Sequence, residues 1–145
     1  MLSNTSKYAI RAVIYLALNC PDKQTKIGIK QISSELEIPT PFLGKILQSL
    51  AKHKLLSSTK GPHGGFGLSK DPFTINLMDI VEVIDGIDNF NMCVLGLNTC
   101  TKDDAHCPIH KNYAEVREQL KILFQTENIG ELAKHLKENS ETIVL

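Results

Sequence analysis

Cys93, Cys100 and Cys107 are separated by six residues each, and His110 follows the last of them within the tetrapeptide CPIH. Thiolates and a neutral imidazole are soft or borderline donors, and four of them between positions 93 and 110 make a constellation suited to a metal. Structural zinc usually draws ligands about two to four residues apart, whereas iron–sulfur clusters accept wider and more varied gaps. The spacing therefore leans towards a cluster. Two other readings stand beside it. Residues seven apart share a helix face, so the cysteines would form an apolar stripe in a core if that segment were helical. Gly96, Asn98, Thr99 and the Asp103-Asp104 pair oppose such a helix. The thiols would also suit redox chemistry without any metal. A further cysteine, Cys20, precedes Pro21 at the end of an apolar segment and reads as a small core residue. His53, His106 and His135 carry no specific chemistry.

A second set of reactive side chains is basic and lies in the first half of the chain. Through Lys70 there are 10 Lys/Arg against 3 Asp/Glu, and after it 6 against 13, so a formal net charge of zero conceals +7 followed by −7. Such an asymmetry points to a basic half facing a polyanion. Lys30, Lys45, Lys52, Lys54, Lys60 and His63 are the residues that would meet it, with Thr40, Gln48 and Ser49 able to bond phosphate or base edges.

The elements that must position these residues are legible from periodicity. Ser6 to Asn19 is apolar on nearly every side and predicts a buried helix that Pro21 stops. Ile29, Ile32 and Leu36 mark a short amphipathic helix, with Lys30 before it, and Pro39 ends it. Thr40 is the expected N-cap of a second helix, in which Leu43, Ile46, Leu47 and Leu50 share one face. Two short helices joined by a tight turn make a helix-turn-helix. Leu55–Lys60 and Phe66–Lys70 predict strands joined by GPHGG, a hairpin that in this place is a wing. Asn76 and Asp79 cap a helix whose buried stripe is Leu77, Ile80, Val81 and Ile84, closed by Gly86. Residues 88–107 show no sustained periodicity and read as a loop. Ile109, Tyr113, Val116, Leu120 and Leu123 then alternate spacings of four and three, a heptad seam suited to a twofold partner or to packing within the chain. Asn128 with Glu131 predicts a last helix packing back through Ile129, Leu132, Ala133 and Leu136.

The fold class is therefore mainly α: a winged helix-turn-helix with a two-stranded wing, a cysteine-bearing loop and a long C-terminal dimerisation helix. The boundaries are 1–87 for the DNA-binding domain, 88–108 for the cysteine loop, and 109–145 for the dimerisation and C-terminal helices. At 145 residues, 42% apolar and 22% charged, the chain has the composition of a globular domain. Its longest apolar stretch, Tyr8 to Leu18, is broken by Arg11 and is too short to span a bilayer. LALNC at 16–20 imitates a lipoprotein cleavage box, but Asn19 stands where a small residue is needed, so a cytoplasmic protein is expected. GPHGGFG lacks the Lys-Ser/Thr pair of a phosphate loop. Neither H-x-E nor P-C-x-x-C of the zinc deaminases occurs, and no serine or cysteine has a convincing base, so no enzyme is expected.

YAIRAVIYLAL at 8–18, IPTPFLGKILQSLAKHKLL at 38–56, KGPHGGFGLSK at 60–70 and INLMDIVEVIDG at 75–86 resemble the BadM/Rrf-two family of bacterial winged-helix transcription regulators. The resemblance implies a homodimer whose long C-terminal helices cross, bound to double-stranded DNA. It also implies, for members of the IscR and NsrR kind, an iron–sulfur cluster on three cysteines matching Cys93, Cys100 and Cys107. IscR-like members hold 2Fe-2S with a histidine in the place of His110. NsrR-like members hold 4Fe-4S and recruit an aspartate from the first helix of the other subunit, where this chain has Lys7. That favours 2Fe-2S over 4Fe-4S, although six-residue gaps replace the more familiar five. A wing arginine of the family corresponds to Lys60, which keeps the charge and loses the planar fork.

Overall fold

The computed structural model describes residues 2–97 and 107–139. Helix α1 (Asn4–Asn19) starts two residues earlier than its apolar pattern, because the Ser3 hydroxyl accepts from the Ser6 amide at 3.0 Å and caps it. Ala9, Ala12, Val13 and Leu16 of α1 are fully buried, and Cys20 lies in the same core. Helices α2 (Ile29–Leu36) and α3 (Thr40–Lys52) form the expected helix-turn-helix, with Glu37 in a left-handed conformation (φ 54°) at the turn. Leu43, Ile46, Leu47 and Leu50 of α3 are buried together with Ile32, Leu36 and Ile38.

Two expectations are corrected here. Lys30 lies inside the first turn of α2 and not before it. Thr40 is the first helical residue of α3 and not its N-cap, a place held by Pro39. The Thr40 hydroxyl donates instead to Ser33 Oγ at 2.9 Å, and Ser33 donates to the Ile38 carbonyl at 2.6 Å. The side chain is turned across the helix-helix turn and pins α2 to α3.

Strands β1 (Leu56–Thr59) and β2 (Gly65–Leu68) pair antiparallel with Leu56 opposite Leu68 and Thr59 opposite Gly65. Both are shorter than predicted, and β2 has a second neighbour that periodicity does not reveal. Ile27 and Phe66 exchange two backbone hydrogen bonds of 2.9 Å, so the segment before α2 borders the wing as an isolated bridge. This close approach explains the glycines. A Cβ on Gly65 would run into the backbone of Ile27, and one on Gly67 would stand 2.5 Å from the Thr25 carbonyl oxygen.

Asn76 and Asp79 make the predicted capping box of α4 (Leu77–Ile84), with bonds of 2.8 and 2.9 Å. Gly86 follows with φ 79°, and a 3₁₀ turn at Ile87–Asn91 occupies the start of the segment expected to be loop. The reason is apolar: Phe90 is buried and meets Phe124 edge-on, with centroids 5.6 Å apart. Together with Met78 and Val81 these rings form a small second core. Helix α5 (His110–Thr126) leads to α6 (Ile129–Glu138), whose cap is Asn128 accepting from the Glu131 amide at 2.9 Å. Ile129 and Ala133 of α6 pack into the main core beside α1.

Gly65→Ala is expected to destabilise the chain by about 1–3 kcal/mol, because the wing must part from Ile27 or distort. Ser58→Ala, on an exposed position of β1, is expected to stay within about 0.5 kcal/mol. Urea denaturation checks both, and equal midpoints would refute the packing role of Gly65.

Candidate nucleic-acid interface and cysteine site

On α3 the residues Pro41, Gly44, Lys45, Gln48 and Lys52 fall at helical spacing on one side, while Leu43, Ile46, Leu47 and Leu50 are buried on the other. Lys45, Gln48 and Lys52 are exposed, and Gly44 is close enough to α2 that an added Cβ would stand 3.2 Å from Ile29. Thr40 and Ser49 flank this face at its two margins and are half-buried. Ser49 borders a separate groove with Phe42, Thr5 and Val83, and Thr40 is bonded to Ser33.

The wing lies beside this face. Lys30, Gln48, Thr59, Lys60 and Phe66 line an open groove of about 570 Å³ between the start of α2, α3 and the hairpin. Three of the residues singled out from sequence, Lys30, Gln48 and Lys60, are thus brought together by three different elements. His63 is exposed at the wing tip, beyond this groove. From Ile38 to Lys70 the chain contains no carboxylate side chain, so no acidic neighbour within this stretch offsets the lysines. That local absence of acids is a signal that the half-chain charge count blurs.

Of the cysteines, Cys93 and Cys107 lie before the start of α5. Cys107 is buried in the turn before α5, and its carbonyl accepts from the His110 amide at 3.0 Å. Cys93 follows the 3₁₀ turn and is half-buried, with its Sγ 3.8 Å from Cys107 Sγ. Two sulfurs held by one tetrahedral metal ion at about 2.3 Å each would lie about 3.8 Å apart, so the pair already has the spacing of two thiolates on one ion. His110 is half-buried on the first turn of α5. Cys100 lies outside the described residues, and among those described no group of three or more His, Cys, Asp or Glu is close enough to hold a metal. Cys20 belongs to the core, where desolvation pushes its thiol pKa up against the opposing effect of Lys26.

Two residues that sequence reasoning missed secure this region. Lys121 Nζ donates to Asn91 Oδ1 at 2.9 Å and Arg117 to the Asn91 carbonyl at 3.4 Å, which ties the segment before Cys93 to α5. Their i, i+4 spacing was visible, but their partner on a distant segment was not.

The seam residues of α5 divide between two surroundings. Leu120 is half-buried and packs on the Phe90–Phe124 core, and Tyr113 is half-buried with the Arg117 guanidinium 6.0 Å from its ring centre. Ile109, Val116 and Leu123, seven residues apart, remain exposed at 37%, 57% and 48%.

A family model described as "Iron-dependent Transcriptional regulator", Rrf2, matches residues 2–135. The chain belongs to the Rrf2 family. Members of this family are winged-helix DNA-binding transcriptional regulators and not enzymes. The Rrf2 chain is 34% identical over 141 residues to a protein of Aquifex aeolicus described as an HTH-type transcriptional regulator, covering 94% of this chain and 96% of that one. It is 27% identical over 134 residues to the regulator IscR of Klebsiella pneumoniae, covering 92% and 80%. In structure it is similar to IscR of T. potens (TM-score 0.75, 20% identity, 96% and 90% covered). It is likewise similar to CymR, the global cysteine regulator of B. subtilis (TM-score 0.74, 19% identity, 93% and 97% covered). At that identity both comparisons establish the fold. Among the described residues no helix is long and apolar enough to cross a membrane.

Thr40→Val removes the hydroxyl that bridges α2 and α3, and is expected to lower stability by about 1 kcal/mol. The salt dependence of DNA binding should be unchanged. A loss of binding in Thr40→Val at full stability would move this residue from the turn to the DNA contact.

Proposed function

We propose that this Rrf2 protein is a cytoplasmic homodimeric regulator of transcription whose affinity for a double-stranded DNA operator is set by an iron–sulfur cluster. The observation that carries the proposal is the position of Phe90. It stands three residues before Cys93, packs on Phe124 of α5 and on Met78 and Val81 of α4, and α4 in turn packs on α3. A change around Cys93 would therefore be felt by the helix that offers Lys45, Gln48 and Lys52.

In this reading Lys30, Lys45, Lys52, Lys60 and His63 meet the phosphate backbone, with Gln48 and Ser49 supplying polar contacts at the helix face and its margin, while the Thr40 hydroxyl stays bonded to Ser33 across the turn. Lys60 and His63 on the wing suit a minor groove. Cys93, Cys100 and Cys107 supply three thiolates and His110 the fourth donor, a set that favours 2Fe-2S over 4Fe-4S. Such a cluster, when bound, supplies redox-, iron- and nitric oxide-sensitive chemistry. The chain's own part is to hold Cys93 and Cys107 at neighbouring positions and to offer the His110 imidazole from the first turn of α5.

The exposed stripe of Ile109, Val116 and Leu123 supports a twofold partner on α5, with Tyr113 and Leu120 bordering the contact. A dimer would read half-sites about 34–36 Å apart.

Lys45→Ala and Lys60→Ala should each weaken operator binding and lower the log–log salt slope by about 0.9. Unchanged slopes in both would exclude this surface. Val116→Glu with Leu123→Glu should give monomers in sedimentation, and a monomeric wild type at micromolar concentration would refute the dimer. After anaerobic reconstitution, Cys100→Ser should lose iron and sulfide, and His110→Ala should keep a less stable cluster with a shifted spectrum. Zinc in place of iron, with no sulfide, would replace the cluster with a zinc site.

A further inference from the structure

The thiols of Cys93 and Cys107 lie side by side, with sulfurs 3.8 Å apart. A disulfide needs about 2.05 Å, so the two must approach by less than about 2 Å. Their surroundings differ in a useful way: Cys107 is buried in the turn before α5, whereas Cys93 is half-buried and is followed by the exposed run Val94 to Leu97. An oxidant from solvent meets Cys93 first, and Cys107 stands behind it as the resolving thiol. The thiol of Cys20 is packed in the main core at the end of α1, and burial raises its pKa, which removes it from the competition.

We propose that in the cluster-free protein Cys93 and Cys107 form a reversible intrachain disulfide that withholds both thiols from iron until they are reduced. The assignment of these residues as cluster ligands rests on the function proposed above, but the pairing itself rests on the geometry alone. With a hydroperoxide as oxidant, the Cys93 thiol is oxidised to the sulfenic acid while the peroxide O–O bond breaks, releasing one molecule of water or alcohol. The Cys107 sulfur then attacks the Cys93 sulfur, the S–O bond breaks, and the hydroxyl leaves with the thiol proton as water. Two thiols are oxidised by two electrons in all, and the peroxide is reduced. A dithiol reductant reverses the step by exchange. Cys100 is left as a thiol, so oxidation converts a three-thiol site into a one-thiol site.

The experiment uses the full-length apo protein, treated with hydrogen peroxide under air and mapped by mass spectrometry of non-reduced peptides. Wild type and Cys100→Ser should both show the Cys93–Cys107 linkage, and Cys93→Ser and Cys107→Ser should lack it while keeping a native circular dichroism spectrum. A linkage to Cys100, a crosslink between chains on a non-reducing gel, or oxidation that stops at sulfenic or sulfinic acid would each overturn the pairing. Oxidised wild type should take up less than about a tenth of the iron that the reduced protein takes, with recovery after dithiothreitol. Equal iron uptake by the disulfide form would overturn its role in withholding the site. If the reduced protein takes up no iron and the linkage still forms, the cluster function fails and the disulfide stands.

Discussion

The burial of α1 is the constraint on which the rest of the structure depends. A helix apolar around most of its circumference has no stable place on a surface, so other elements must enclose it. Here α2, α3, α4, α6 and β2 all pack against it. The small residues Ala9 and Ala12, both fully buried, permit close approach, while Val13 and Leu16 fill the space between the neighbouring helices. Arg11 interrupts the apolar pattern without breaking the core. Its stem lies along the helix packing, and its guanidinium donates to the Leu36 carbonyl at 3.4 Å, at the open C-terminal end of α2. The residue that argues against a membrane span in the sequence thus helps fix the helix-turn-helix in the fold.

The placement of the basic groove follows from that packing. With α2 and α3 held by α1, the segment before α2 runs along the free edge of β2, and the Ile27–Phe66 bonds settle where the wing stands. A two-stranded hairpin alone is marginal in water. Attached at Ile27, it holds Lys60 across the groove from Lys30 and Gln48. The glycines of the wing serve this approach as much as the turn, which is why the GG pair is followed by a third glycine inside the strand.

Local signals carried most of the architecture. The capping box at Asn76 and Asp79, the Asn128 cap and the i, i+3, i+4, i+7 stripe of α3 are each set by residues close in sequence, and each was legible. What was not legible depends on distant partners. Thr40 has the chemistry of an N-cap, but Ser33 offers its hydroxyl a better acceptor across the turn. The 3₁₀ turn at Ile87–Asn91 has no periodicity of its own, and exists because Phe90 finds Phe124 more than thirty residues later. The heptad seam on α5 was visible as one stripe, yet it divides between Leu120, packed within the chain, and Val116 and Leu123, which face outwards. Periodicity identifies apolar residues on one side of a helix without saying how many partners that side has. For the cysteine site, residue type and spacing nominate Cys93, Cys100, Cys107 and His110 as donors, and of these the structure describes the pair Cys93 and Cys107 and the position of His110.

The same second core lies on the route by which the cysteine switch proposed above would reach DNA. Asn91 is bound by Lys121 and Arg117, and Phe90 packs on Phe124, so the stretch leading to Cys93 is attached to α5. Asp85 adds a polar link on the other side: it accepts from the Ser3 hydroxyl at 2.5 Å and the Ser3 amide at 3.1 Å, joining the end of α4 to the cap of α1. Between these two attachments stands Gly86, whose φ of 79° gives the chain a corner there. A ligand alters an equilibrium only by binding two arrangements unequally. The differential contacts that the proposed switch would use are those of Cys93 and Cys107, both before α5, and the helix packed on α5 and on Phe90 is α4. Because α4 contacts α1, α3 and α5 together, it links the small second core to the helix carrying Lys45 and Gln48, while the wing is attached separately at Ile27. The cysteine switch proposed above would therefore act through α4 on the angle of the recognition helix relative to the wing, with the Ile27–Phe66 attachment unaffected.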